Sequence, residues 1–135
     1  MQTTTALERA DVQAVAAAAA AEAEANGWAV TIAIVDQGGH LLALDRLDGA
    51  APATAHLAPA KANTAALIRK ETKTFEDMIN GGRVAFLSAP TLQGVLEGGV
   101  PIVKDGDCIG AVGVSGVLPG QDAQVARAGI AALGL

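Results

Sequence analysis

Two histidines, a single cysteine and a lysine set among alanines are the first side chains in this sequence to suggest chemistry. His40 follows Gly38 and Gly39 in VDQGGHLLALDRLDGA, residues 35–50. An imidazole serves as a haem-iron ligand or as a general acid or base near neutral pH. A polar residue that merely follows a tight turn fits the same position. Lys61 stands in HLAPAKANTAALIRK, residues 56–70, a helical stretch of small apolar residues. Turned into a site, its ammonium would bind an anion or a carboxylate; turned outward, it is only solvated. Arg69 closes the same stretch and offers a second cation for a carboxylate. His56 reads as a solvated surface residue, and Asp45 and Arg46 as ion-pairing or solvated residues near the end of a hairpin.

Further along, GGVPI holds Gly98 and Gly99, which either turn the chain before an edge strand or let backbone approach a ligand. Ser115 and Gly116 end a β-rich run. Asp122 falls in the first turn of the helix that follows, where a negative charge suits the helix dipole. Cys108 reads as a small buried side chain. Gly110, Gly113 and Gly116 repeat every third residue on a strand, which is not the dinucleotide-binding fingerprint. There is no phosphate-binding loop, no C-x-x-C, no H-E-x-x-H and no G-x-S-x-G, so a function has to come from few polar groups in a small site.

The elements that position these residues follow from pattern. Thr5 with Glu8 reads as a capping box opening a helix through the alanine tract to about Ala25, stopped at Asn26–Gly27. Trp28 to Asp36 and His40 to Leu47 read as two strands joined at QGG. A helix from Thr54 to Ile68 either begins near Pro59 or kinks there. Thr74 and Asp77 mark a short helix closed by Gly81–Gly82. LQGVLEGG, residues 92–99, reads as a strand followed by a turn. Val100 to Gly116 forms a second hairpin around Asp105–Gly106, a type I′ signal, with Pro101 at a strand start or sheet edge. Pro119 opens the last helix. Two antiparallel hairpins flanked by helices make an α+β fold, with helices on a mostly antiparallel sheet.

Bulk properties narrow the partners. A length of 135 residues suits one domain, residues 1–135. The core side chains are mostly small, with 2 % aromatics and no Tyr, so helices must approach the sheet closely. The net charge of −5 and the absence of basic runs argue against nucleic acid and against a membrane surface. The N-terminal stretch carries no basic start, and Glu8, Asp11, Glu22 and Glu24 bracket the alanine run, which points to a cytoplasmic chain without an export signal.

Taken in order, VDQGGHLLALDRLDGA, KANTAALIRK, GGVPIVKDGDCIGAVGVSG and QDAQVARAG resemble the GlcG/HbpS family of small haem-binding-like domains, to which the carboxy-terminal domain of PduO proteins belongs. The likeness runs from Leu7 to Leu133. It implies a profilin-like antiparallel sheet with flanking helices and a homo-oligomer. His40 matches the family's GGH position, and Lys61, Asp122 and the GVSG segment match recurrent motif positions. The resemblance implies a binding module with a pocket near His40, Lys61 and Ser115–Gly116. That pocket would hold haem, with His40 on the iron, or a smaller carboxylate-bearing ligand. The alternative is a cofactor-independent enzyme on a small organic acid, with His40 moving a proton and Lys61 or Arg69 holding the carboxylate.

Overall fold

The computed structural model describes residues 1–135. Helix α1 spans Arg9–Ala25, strands β1 and β2 span Thr31–Asp36 and Leu41–Arg46, and helices α2 and α3 span Thr54–Ile68 and Lys73–Asn80. A 3₁₀ turn at Val84–Ser88 precedes strands β3, Gly99–Lys104, and β4, Asp107–Ser115; helix α4 covers Pro119–Ala131. The four strands form one antiparallel sheet in the order β2-β1-β4-β3. The α+β architecture expected from the sequence is the one observed.

The two faces of the sheet are packed differently. On one face Ile32, Ile34, Val112 and Val114 meet Val12, Val15, Ala19 and Ala23 of α1 and Ala123, Val125 and Ala126 of α4. The buried α1 residues recur every three or four positions, which puts them on one side of the helix. On the other face Ala33, Val35 and Ala111 meet Ala58, Ala62, Ala65 and Ala66 of α2. Side chains this small bring α2 almost onto the sheet. At Gly113 a Cβ would run into the Ala58 carbonyl oxygen and the Ala62 nitrogen. The alanine-rich composition therefore has a local purpose: it sets the depth at which α2 lies.

Several local expectations hold. Asn26 caps α1, Gly81 caps α3, and Pro119 is the first residue of α4. Asp105 and Gly106 both have positive φ, 51° and 83°, as a type I′ turn requires. Pro101 sits on an edge strand, where its missing N–H costs no ladder bond.

Others are corrected. Helix α1 begins at Arg9, and the box that caps it is Glu8 with Asp11, the Glu8 N–H donating to Asp11 Oδ2 at 2.8 Å, rather than Thr5 with Glu8. Helix α2 has the bounds Thr54–Ile68 that its pattern indicates, and only a start near Pro59 is overturned, since Pro59 lies inside it. Residues 92–98 form no strand; β3 begins at Gly99. Of the ion-pairing and solvated roles open to Arg46 and Asp45, the ion pair is not formed: both are exposed, and Arg46 donates from Nε and Nη2 to the Ala50 carbonyl at 3.2 and 2.9 Å.

Candidate functional site

The residues singled out in the sequence separate into two groups at different ends of the sheet. Thr31 pairs with Ser115 and Asp36 pairs with Gly110. Five strand steps from Thr31 to Asp36 span roughly 17 Å. The turn bearing His40 and the strand end at Ser115 therefore do not wall one small pocket. Helix α2 crosses the sheet between them. Its start is tied to β1 where Thr54 and Thr31 share a hydroxyl hydrogen bond of 2.7 Å. Farther along α2, Asn63 Nδ2 donates to the Gly39 carbonyl at 3.0 Å, so the helix delivers Arg69 to the His40 end.

Lys61 faces neither solvent nor an open site. It is buried, and its Nζ donates to the Val114 carbonyl at 3.0 Å and to Asp122 Oδ2 at 3.2 Å. Asp122 Oδ1 in turn accepts the Val117 N–H at 3.1 Å, which fixes the start of α4. Burial pushes the Asp122 carboxyl above its ordinary value, against the pull of Lys61 and the Val117 N–H. Gly98 and Gly99 pack against this pair. A Cβ on Gly98, whose φ is +131°, would lie 2.8 Å from Lys61 Nζ; one on Gly99 would strike the Lys61 carbonyl oxygen. These glycines admit a close approach, but of α2 and its lysine. Ser115 is buried, and at Gly116, φ +147°, a Cβ would lie 2.5 Å from the Ala29 carbonyl oxygen. Lys61, Asp122, Gly98 and Gly99 are thus one buried polar knot that joins α2, α4 and β4.

The other group is open. Asp36 ends β1, and its Oδ1 accepts the N–H groups of Gly38 at 2.9 Å and His40 at 3.0 Å. The His40 ring folds back so that Nδ1 lies 3.1 and 3.2 Å from the two Asp36 oxygens. Burial works against the Asp36 charge, but the two N–H groups and the imidazole outweigh it and hold the carboxyl below its ordinary value. Asp36 is therefore ionised at neutral pH. A carboxylate only accepts hydrogen bonds, so Nδ1 is the donor, and in the neutral imidazole Nε2 keeps its lone pair. The His40 side chain is 81 % exposed, which leaves that lone pair free to take a ligand. The double glycine serves this geometry. A Cβ on Gly38 would come within 2.8 Å of His40 Cε1, and one on Gly39, φ +82°, would hit the Asn63 amide.

Asp36, Asn63 and Gln37 escaped the sequence reading. The signal for Asp36 was present: D-x-G with a histidine four residues on is an aspartate folding over its own turn. Asn63 had no signal, because its contact spans 24 positions. Of the remaining candidates, His56 is exposed and Cys108 is half-buried, its Sγ 3.3 Å from the Gly110 carbonyl oxygen. The largest depression, about 530 Å³, lies at the far end of the sheet and is lined by Glu24, Asp45 and Asp48. Its one cation, Arg46, already donates to Ala50. Chemistry therefore favours the His40 end over the larger hollow.

Comparison with known proteins shows the family of the chain. Residues 7–131 match the family described as haem degrading protein HbpS-like. The chain belongs to the HbpS-like family. Protein GlcG of Escherichia coli strain K12 is 54 % identical over 115 residues, 85 % of each chain. The crystal structure of a Streptomyces reticuli HbpS double mutant matches with a TM-score of 0.90 at 32 % identity, covering 100 % of this chain and 92 % of that one. A crystal structure of a PduOC:heme complex matches with a TM-score of 0.86 at 31 % identity, covering 95 % of both. No helix of this HbpS-like chain is long and apolar enough to cross a membrane.

Proposed function

We propose that this chain is a small-ligand-binding domain whose ligand is haem, held through Nε2 of His40. The observation that carries the reading is the Asp36–His40 pair, an exposed imidazole whose free nitrogen is oriented by a carboxylate on the other. That arrangement is the usual backing of a histidine that binds metal. The donor set also suits haem in particular. No group of three or more His, Cys, Asp or Glu side chains could hold a bare ion. A porphyrin brings four nitrogens of its own and needs only one imidazole from the protein. Beside the turn, Ala6, Leu7, Leu42 and Ile109 line a mostly apolar depression of about 220 Å³ that Asp36 and Gln37 border. Alkyl rather than aromatic walls would face the macrocycle. Haem, when bound, supplies redox-active iron; the chain's own residues orient it and hold the imidazole in one tautomer. A relative that binds haem supports the same reading.

Self-association belongs to the proposal. Strand β2 is an edge strand, and Leu41, Leu42 and Leu44 on it are exposed. An edge with apolar side chains on both faces is a surface for further pairing. Native mass spectrometry of the purified protein should show a homo-oligomer, and a monomer at micromolar concentration would contradict it.

The haem reading is tested by titrating haemin into the protein. A saturable, shifted Soret band is expected, with its coordination signature lost in His40→Ala. Identical spectra from the two proteins would overturn it. The Asp36–His40 pair also favours a second reading, in which His40 is a general base on a small organic acid. Turnover of a hydroxy- or keto-acid that stops in His40→Gln would establish that reading.

A further inference from the structure

We propose that Arg69 is a carboxylate-binding residue, so that the ligand held at His40 bears a carboxylate that ends on the Arg69 guanidinium. This rests on the His40 reading and adds the chemistry of the ligand's far end. Most other cations of the chain are engaged. Lys61, Lys73 and Arg127 are paired with Asp122, Asp77 and Glu71, Arg46 donates to a carbonyl, and Arg83 lies over the Phe86 ring. Arg69 is exposed and makes no ion pair. It lines a cleft of about 340 Å³ together with Thr3, Thr5, Gln37, Asp107 and Cys108. Gln37 belongs to the same turn as His40, which places the cleft beside the turn that carries the imidazole. From Asn63, which holds that turn, α2 runs six residues on to Arg69, about 9 Å.

The backbone at Arg69 adds an independent reason. It caps α2 in the left-handed region, φ 58° and ψ 33°, with its N–H donated to the Ala65 carbonyl. Glycine adopts this conformation without strain and is the usual residue at such a helix end. Arginine keeps the strain and gains a guanidinium whose planar donors fit a carboxylate on both oxygens. On a chain of net charge −5, a free cation at the mouth of a hydroxyl- and amide-lined cleft selects for an anionic group. Asp107, the acidic residue on the wall, opposes it and limits the affinity.

Arg69→Gly separates charge from fold, because glycine relieves the backbone while removing the guanidinium. Haemin and haemin dimethyl ester, in which both carboxylates are masked, are titrated into wild type, Arg69→Gly and His40→Ala. Succinate is tested alongside as a free dicarboxylate by its effect on melting temperature. Wild type is expected to bind haemin about tenfold more tightly than the ester, a difference of about 1.4 kcal/mol. Arg69→Gly should abolish that preference, leave ester binding unchanged and melt no lower than wild type without ligand. Asp107→Asn should widen the preference. Should haemin fail to bind wild type, the haem reading fails. The Arg69 inference then stands if succinate raises the melting temperature of wild type but not of Arg69→Gly, and falls if it does not. Haemin binding without preference for the free acid, together with no succinate effect that depends on Arg69, also overturns it.

Discussion

Asp122 and Asp36 each hold a nitrogen base, and their surroundings make them opposites. Asp122 and Lys61 are 61 residues apart in sequence and buried together, their side chains 4 % and 5 % exposed. Asp36 and His40 are four residues apart at the tip of a hairpin, with the imidazole 81 % exposed. In the first pair, each donor and acceptor named above is met within the protein. In the second, one nitrogen is left over. The comparison teaches that a charged residue inside an apolar pattern locates a polar contact without saying whether a ligand makes it. The leftover lone pair, not the charge, marks the candidate site.

Breaking the buried pair should have the largest effect on stability. Asp122→Ala leaves the Lys61 ammonium among apolar groups with one carbonyl, at a cost of about 3–5 kcal/mol. Urea unfolding measures it. Replacing both residues, as Lys61→Met with Asp122→Leu, should cost markedly less than Asp122→Ala, because no unpaired charge remains. Equal losses would show that the pair matters through shape alone.

The exposed pair should be far less costly to remove. Asp36→Ala frees the Gly38 and His40 N–H groups to water and should lower stability by about 1 kcal/mol. It should weaken haem binding about 10–100-fold, the usual effect of removing the group that orients a metal-binding imidazole. His40→Ala should change unfolding stability by no more than about 0.5 kcal/mol, as an exposed side chain that touches only its own turn. A larger loss in His40→Ala would place His40 in the framework and blur the distinction between the two pairs.

Acid separates the pairs by sign. The Asp36 carboxyl lies below its ordinary value of 3.8 in the folded chain. Its stabilising contribution is present above that value and is lost as pH falls through the folded one. The Asp122 carboxyl lies above 3.8. Its proton-linked contribution is full below 3.8 and is lost as pH rises through the folded value. Melting temperatures followed below and above pH 3.8 should therefore show the two carboxyls acting in opposite directions. Asp36→Asn should flatten the loss on acidification, and Asp122→Asn should remove the opposing trend.

Much of the fold was legible because its signals are local. Asn26–Gly27, Asp105–Gly106 and Pro119 each act within a few residues, and each terminates or turns the chain where the sequence indicates. The site was legible only in part, for a matching reason. His40 and its turn lie within one short stretch, so a contact there could be suspected. Lys61 meets Asp122 across 61 positions, and no pattern in either segment shows that the two converge. Pattern left Lys61 a choice between a site and solvent. The third outcome, burial against a distant aspartate, depends on the depth of α2, which Gly113 and the alanines of both partners set together. Residues 92–98 misled because apolar residues with glycine suit a strand, yet their backbone is held by side chains instead: the Gly94 N–H donates to the Thr64 hydroxyl and the Leu96 carbonyl accepts from Thr72.

The central claim is that the exposed pair serves the ligand and the buried pair serves the fold. Haemin dissociation constants for three proteins test it most directly: wild type, His40→Ala and the Lys61→Met/Asp122→Leu double variant. The account predicts that His40→Ala melts like wild type and loses haem affinity by more than about 100-fold, beyond the effect expected of removing Asp36. The double variant should melt lower and keep wild-type affinity wherever it is folded. Haem affinity that survives in His40→Ala but collapses in the folded double variant would contradict the claim and move the site to the Lys61 end of the sheet.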